Sequence, residues 1–235
     1  MRSAAREDNA YVLHVRRYRE NSLLVEALTA SYGRLGLVAR AAARSRRPPA
    51  ESVQPFREVV LLFHGREDIQ TLQRAEPLGP VPLLQGDRLI SGLYINELLV
   101  RLTGRGDGDA ALYRLYADTI GALTTDAALE PLLRRFEVGL LELSGYGVDF
   151  TITADTGRPI EAEGQYFFQP EVGFVVDYPS GATPALAGRT LLALAGLCAF
   201  DEPALREAKR FMRGLLLRQL GERPLLSRAL FGGGG

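Results

Sequence analysis

Three observations predict an α+β fold in two parts, strands first and helices after. Residues 11–77 fall into five short runs of alternating or continuous apolar character, separated by turn residues. After Pro80-Val81-Pro82 the apolar spacing becomes helical. The closing helix has its own start and stop, acids at Asp201-Glu202 and a glycine at Gly221.

In "YVLHVRRY" Val12, His14 and Arg16 share one side, and Leu13, Val15 and Arg17 the other. "SLLVEALTASYGRLGLVARA" gives two apolar runs around Ser31-Tyr32-Gly33-Arg34, a hairpin signal. "FREVVLLFHG" ends at Gly65, and "DIQTLQRAEPL" supplies the last strand. Five strands of this size suit a small barrel or a strongly curled sheet. The first helix, "DRLISGLYINELLVRL", is expected to align Leu89, Leu93, Asn96 and Val100 on one face. "AALYRLYADTIGAL" and "EPLLRRFEVGLLELSGY" follow, the latter with Pro131 in its first turn and Gly145 near its end. Residues 148–184 are irregular, with one hairpin expected in "QYFFQPEVGFVVD", and two helices close the chain. The predicted division is 1–80 and 81–235; the terminal "GGGG" is left out of the fold.

Formal charge is zero and apolar residues make up 46% of the 235-residue chain, so a core is assured and the whole-molecule field names no partner. The zero hides an asymmetry. Residues 1–80 hold 13 arginines against 9 acids, whereas residues 81–235 hold 15 basic residues against 19 acids. All basic residues but Lys209 are arginines, planar forks suited to phosphate. The lone Cys198 excludes internal disulfides and a multi-cysteine zinc site, and reads as a small buried hydrophobe. No apolar run spans a membrane and "MRSAARED" lacks a signal-peptide core, so a cytoplasmic protein is expected.

No constellation for catalysis emerges. The phosphate-loop pattern is absent. "GRGDGD" (104–109) carries two acids between two helices and reads as a linker that repels phosphate. His14 and His64 sit in strands and read as structural. Glu161 with Glu163, and Asp201 with Glu202, read as surface or helix-start acids. Metal ligands are not apparent, and the chain reads as a binding protein rather than an enzyme.

The strongest local feature is "LVARAAARSRRPPAESVQPF", with Arg40, Arg44, Arg46 and Arg47 unanswered by an acid until Glu51. A solvated arginine-rich loop is the plain alternative. Arg16, Arg17 and Arg19 at the end of the first strand, and Arg34 in the first hairpin, add charge to the same part. Small barrels bind single strands on a sheet face with flanking loops, and guanidiniums on phosphates release counterions. Tyr11, Tyr18, Tyr32 and Phe56 are candidates for base stacking and equally for packing. On the last helix, Arg206, Lys209, Arg210 and Arg213 form a second basic face, read first as solvated.

"YVLHVRRYRENSLLVEALTASYGRLGLVARAAARSRR", "QPFREVVLLFHGREDIQTLQRAE", "GLYINELLVRL", "LRRFEVGLLELSGYGVDF" and "RPLLSRALF" closely resemble, in order and over nearly the whole chain, the bacterial DNA-repair family RecO. The resemblance implies an N-terminal OB-fold and a helical C-terminal domain. It implies no turnover chemistry, but binding of single- and double-stranded DNA and annealing of complementary strands. Implied partners are RecR, RecF and RecA, and the acidic, hydrophobic C-terminal tail of the single-strand-binding protein SSB. The protein is expected to be monomeric alone and nucleoid-associated. Where some members carry a four-cysteine zinc module after "GYGVDF", this segment has no cysteine, so no zinc is expected and residues 148–184 are expected to form a zinc-free treble-clef-like or hairpin insertion.

The resemblance places the tail site on the "RRFEVGLL" helix, at Arg134, Arg135, Val138 and Leu141. The residues themselves fit: Leu133, Phe136, Leu140 and Leu143 are expected to face the core, and Arg134, Val138 and Leu141 form a second stripe. An exposed Glu130–Arg134 pair above core residues is the alternative. A protein-interaction adaptor, with incidental DNA contact, is the competing function.

Overall fold

The computed structural model describes residues 4–40, 52–65, 68–177, 184–221 and 223–227. Five strands close the barrel: β1 (Arg6–Tyr18), β2 (Ser22–Thr29), β3 (Gly33–Arg40), β4 (Glu58–His64) and β5 (Ile69–Pro77). Around the barrel they run β1-β2-β3-β5-β4. Neighbours are antiparallel except β3 and β5, which pair in parallel and seal it. This is the OB-fold. One alternation of each strand fills the interior, where Val12, Val25, Leu37, Leu61 and Phe63 are wholly enclosed. Each such side chain contributes roughly 1.5–3 kcal/mol.

A bulge shifts the β1–β2 register between Val12 and His14. The Leu13 carbonyl accepts a hydrogen bond from Asn96 Nδ2 at 2.7 Å, and the Asn96 carbonyl accepts from the Tyr116 hydroxyl at 2.7 Å. The bulge frees a ladder group, and a buried amide satisfies it. Asn96 lies on α1 (Gly86–Leu102) and Tyr116 on α2 (Ala110–Leu123). Both helices therefore belong to the barrel's compact unit, residues 1–127 with 225–235. The change from strand to helix near residue 80 is not where the compact units divide, because α1 and α2 bury their apolar faces on strands. Nor is the buried face of α1 the expected one. Of the expected Leu89, Leu93, Asn96 and Val100, only Asn96 is buried, Leu93 and Val100 are half-buried and Leu89 is on the surface; Ser91, Tyr94, Ile95, Leu98 and Leu99 form the rest of the buried face.

The same unit recruits residues far along the chain. Glu97 accepts hydrogen bonds from the backbone N–H groups of Leu226 and Ser227, at 2.8 and 2.9 Å, and from the Ser227 hydroxyl. Burial pushes its carboxyl pKa up, but these bonds outweigh that and hold it below the usual range.

Residues 128–224 form the second unit. It comprises α3 (Leu129–Leu143), a small sheet of β6 (Gln165–Gln169), β7 (Gly173–Val175) and β8 (Leu186–Ala187), α4 (Gly188–Leu194) and α5 (Glu202–Leu220). The "QYFFQPEVGFVVD" stretch is the β6–β7 hairpin. Phe150, Phe168, Phe174 and Phe211 cluster with ring centroids 5.2–6.2 Å apart. Asp201 caps α5 by accepting from the Ala204 N–H at 2.8 Å, and Gly221, at φ +68°, stops it. Cys198 is exposed rather than buried, because it lies in the turn after α4 rather than inside a helix.

Candidate nucleic-acid face and partner surface

Strand register arranges the outer face of β1, β2 and β3 in rows. Tyr18, Ser22 and Arg40 make one row, and Arg16, Leu24 and Val38 the next; His14, Glu26 and Gly36 make a third. Rows two residues apart step by about 7 Å. Arg16 and Arg40 are exposed on this face, and neither has an ion-pair partner among the described residues. Arg17 is exposed too, but on the alternate side of β1, opposite Leu23. Arg19 sits in the β1–β2 turn at φ +56°, its guanidinium 5.2 Å from the Tyr18 ring centroid. Arg44, Arg46 and Arg47 lie outside the described residues.

Arg34 is placed differently. Its guanidinium pairs with Glu26 at 2.9 Å and donates to the Thr103 carbonyl at 2.8 Å, leaving the side chain 11% exposed. It holds the fold rather than offering a free fork. Of the four aromatic candidates only Tyr18 has no ring packed on it among the described residues. Tyr11 packs against Tyr113 and Tyr116, and burial with nearby Glu58 pushes its phenol up to about 12. Tyr32 stacks edge-on with Phe63 beneath the Arg6 guanidinium, and Phe56 is buried.

The "GRGDGD" segment is more than a linker. A Cβ on Gly33 would stand 2.1 Å from the Asp107 carbonyl oxygen, and one on Gly108 would stand 2.1 Å from that of Ser31. The loop is thus docked against the β2–β3 hairpin through glycine contacts no other residue allows. Asp109 caps α2, accepting from the Ala111 N–H at 2.7 Å. Arg105 lies over Gly36 and reaches Glu26.

On α3, the buried residues are Leu133, Arg134, Phe136, Glu137, Leu140 and Leu141, while Leu143 is on the surface. The Arg134–Val138–Leu141 stripe is largely turned inward. Arg134 donates to the wholly buried Glu137 at 2.6 Å, and its other terminal nitrogen is 3.5 Å from Glu130. Arg135 is exposed and Val138 half-buried. Glu130 also accepts from Lys209 Nζ of α5 at 2.7 Å. One carboxylate therefore bridges two cations on the α3–α5 surface. Lys209 was missed as a member of this group because only the tertiary fold brings α5 to α3. Elsewhere on α5, Arg206 pairs with Glu202, and Arg213 is exposed. Arg210 and Arg218 edge an apolar groove of 320 Å³ lined by Phe168, Leu186, Phe211 and Leu215.

Among the described residues there is no cluster of three metal-ligating side chains and no helix long and apolar enough to cross a membrane. Two family models match the chain: "Recombination protein O N terminal" over residues 1–81 and "Recombination protein O C terminal" over residues 83–229. A DNA repair protein RecO from Nitrosococcus oceani is 44% identical over 222 residues, covering 94% of this chain and 90% of its own. One from Alkalilimnicola ehrlichii is 43% identical over 225 residues, covering 94% and 89%. One from Haemophilus influenzae is 38% identical over 221 residues, covering 94% and 93%.

Proposed function

The chain belongs to the RecO family and has a role in DNA repair and recombination; on that premise we propose that it is a recombination mediator that anneals complementary strands. The observation that carries the reading is the outer barrel face, where Arg16 and Arg40 are exposed beside Tyr18 without an ion-pair partner among the described residues; in sequence the arginine-rich 41–51 connection follows. Guanidiniums there grip phosphates and leave base edges free to meet a second strand. No step breaks or forms a covalent bond, so the mediator has no catalytic residue.

The SSB tail docks on the α3–α5 surface in this reading. Its terminal carboxylate competes with Glu130 for Lys209, while Val138 supplies apolar contact and Arg135 an exposed charge, with Arg134 buried beneath them holding Glu130 and Glu137. RecR, RecF and RecA complete the pathway as partners. The 148–184 segment needs no metal. It has no cysteine, and its phenylalanine cluster with Phe211 supplies the packing a zinc module would otherwise give. The melting temperature should be the same in excess EDTA; a drop of several degrees would count against a metal-free segment.

Annealing of complementary oligonucleotides coated with cognate SSB, with and without its tail, tests the function. The expected result is acceleration that depends on the tail. Acceleration indifferent to the tail removes the α3–α5 docking site and keeps the DNA face. No acceleration removes the mediator reading. The adaptor reading then leads, favoured by the apolar groove edged by Arg210 and Arg218, which suits a docked protein segment.

A further inference from the structure

Arg105 lies in the loop between α1 and α2, yet its guanidinium sits on the outer face of the barrel. A Cβ on Gly36 would stand 2.9 Å from Arg105 Cζ, so the fork rests flat on a mid-strand position of β3 that lacks a side chain. That position is in the row of His14 and Glu26, next to the row of Arg16. The loop backbone is fixed by its glycine contacts to the hairpin and by the Gly106 N–H bonded to the Arg34 carbonyl at 3.1 Å. Arg105 is therefore delivered to the sheet face by a rigid support.

Glu26 accepts from both Arg34 and Arg105. The two guanidiniums are not equivalent. Arg34 is 11% exposed and has a second anchor in the Thr103 carbonyl at 2.8 Å. Arg105 is 30% exposed, and among the described residues its other hydrogen bond is a longer one, to the Asp68 carbonyl at 3.3 Å. Two cations share one carboxylate, so the cluster keeps a net positive charge. That excess belongs to these three side chains: of the loop's two acids, Asp109 is turned to the α2 cap and Asp107 lies beside Gly104.

We propose that Arg105 is a phosphate contact of the nucleic-acid face, held in position by Glu26 until a backbone phosphate takes that carboxylate's place. This rests on the DNA-binding reading of the barrel and extends its cationic track by one row, from Arg40 through Arg16 to Arg105. Arg34 stays behind as the anchor that keeps Glu26 in place during the exchange. The carboxylate acts as a stand-in for phosphate, which orders the fork before the strand arrives and lowers the entropy lost on binding.

The experiment is a salt titration of single-stranded oligonucleotide binding by the full chain, between about 0.05 and 0.2 M salt. Arg105→Ala should bind about three- to tenfold more weakly at the low end, with the log–log slope shallower by about 0.7. Arg105→Lys keeps the charge and should retain the wild-type slope. Glu26→Gln removes the competitor and should tighten binding. A slope unchanged by Arg105→Ala overturns the proposal. So does an equal loss in Arg105→Lys, which would mark the effect as a collapse of the loop. If the wild type itself shows no salt-dependent binding, the reading of the barrel face falls, and the proposal falls with it for that separate reason.

Discussion

Arg134→Ala should destabilise the helical unit by about 3–5 kcal/mol, the range for removing one member of a buried ion pair. Glu137 is 0% exposed and accepts from Arg134 at 2.6 Å inside α3. Deleting the guanidinium takes the 2.6 Å ion pair away from a carboxylate that has no access to water. Thermal unfolding should show the loss as a markedly lower transition. The double variant Arg134→Met with Glu137→Leu removes both charges and fills the volume, and it should recover most of the stability. An Arg134→Ala protein within about 1 kcal/mol of wild type would mean that the pair is solvated in solution, contrary to the structure.

The consequence for function is practical. Loss of SSB-tail binding in Arg134→Ala would not by itself locate the tail, because the fold of α3 changes too. Arg135 and Val138, which reach the surface, and Lys209, which shares Glu130, are the cleaner probes.

Replacing Arg16, Arg40, Arg44, Arg46 and Arg47 together by alanine should abolish most single-strand affinity. Each phosphate contact contributes about 0.7 to the log–log salt slope for single strands. Five contacts amount to a slope shallower by about 3.5, and at about 0.1 M salt the loss should lie between a hundredfold and a thousandfold. Arg16 and Arg40 are exposed on the sheet's outer face, away from the barrel interior, so circular dichroism and melting temperature should stay near wild type. An unchanged slope in the folded variant would remove this face as the binding surface.

Much of the barrel was legible because strand alternation and turn residues are local signals. The hairpin at 31–34 and the strands ending at His64 and Pro77 follow from neighbours in sequence. The compact units were not legible, since the packing of α1 on β1 depends on a bulge at Leu13 and an amide 83 residues away. Arg34 and Arg134 show the same limit at the site. Sequence reveals a guanidinium but not whether it aims at water or at a carboxylate. For Arg134 a hint existed in Glu137 at i+3. For Arg34 the partners come from another strand and from the end of α1. Arg105 was hidden by its company. Its glycine- and aspartate-rich loop reads as a repulsive spacer unless Asp109 is recognised as a helix cap, the signal that was there to use.

The carboxylate of Glu97 is satisfied by backbone N–H groups and a hydroxyl 129 and 130 residues further along the chain. A polypeptide leaves the ribosome from its N-terminus, so α1 is translated long before Leu226 and Ser227 exist. The barrel unit, first to be made, must wait through the synthesis of residues 128–224 for its final closure. Nascent-chain order and completion order are thus inverted: the part made before residues 128–224 is finished after them.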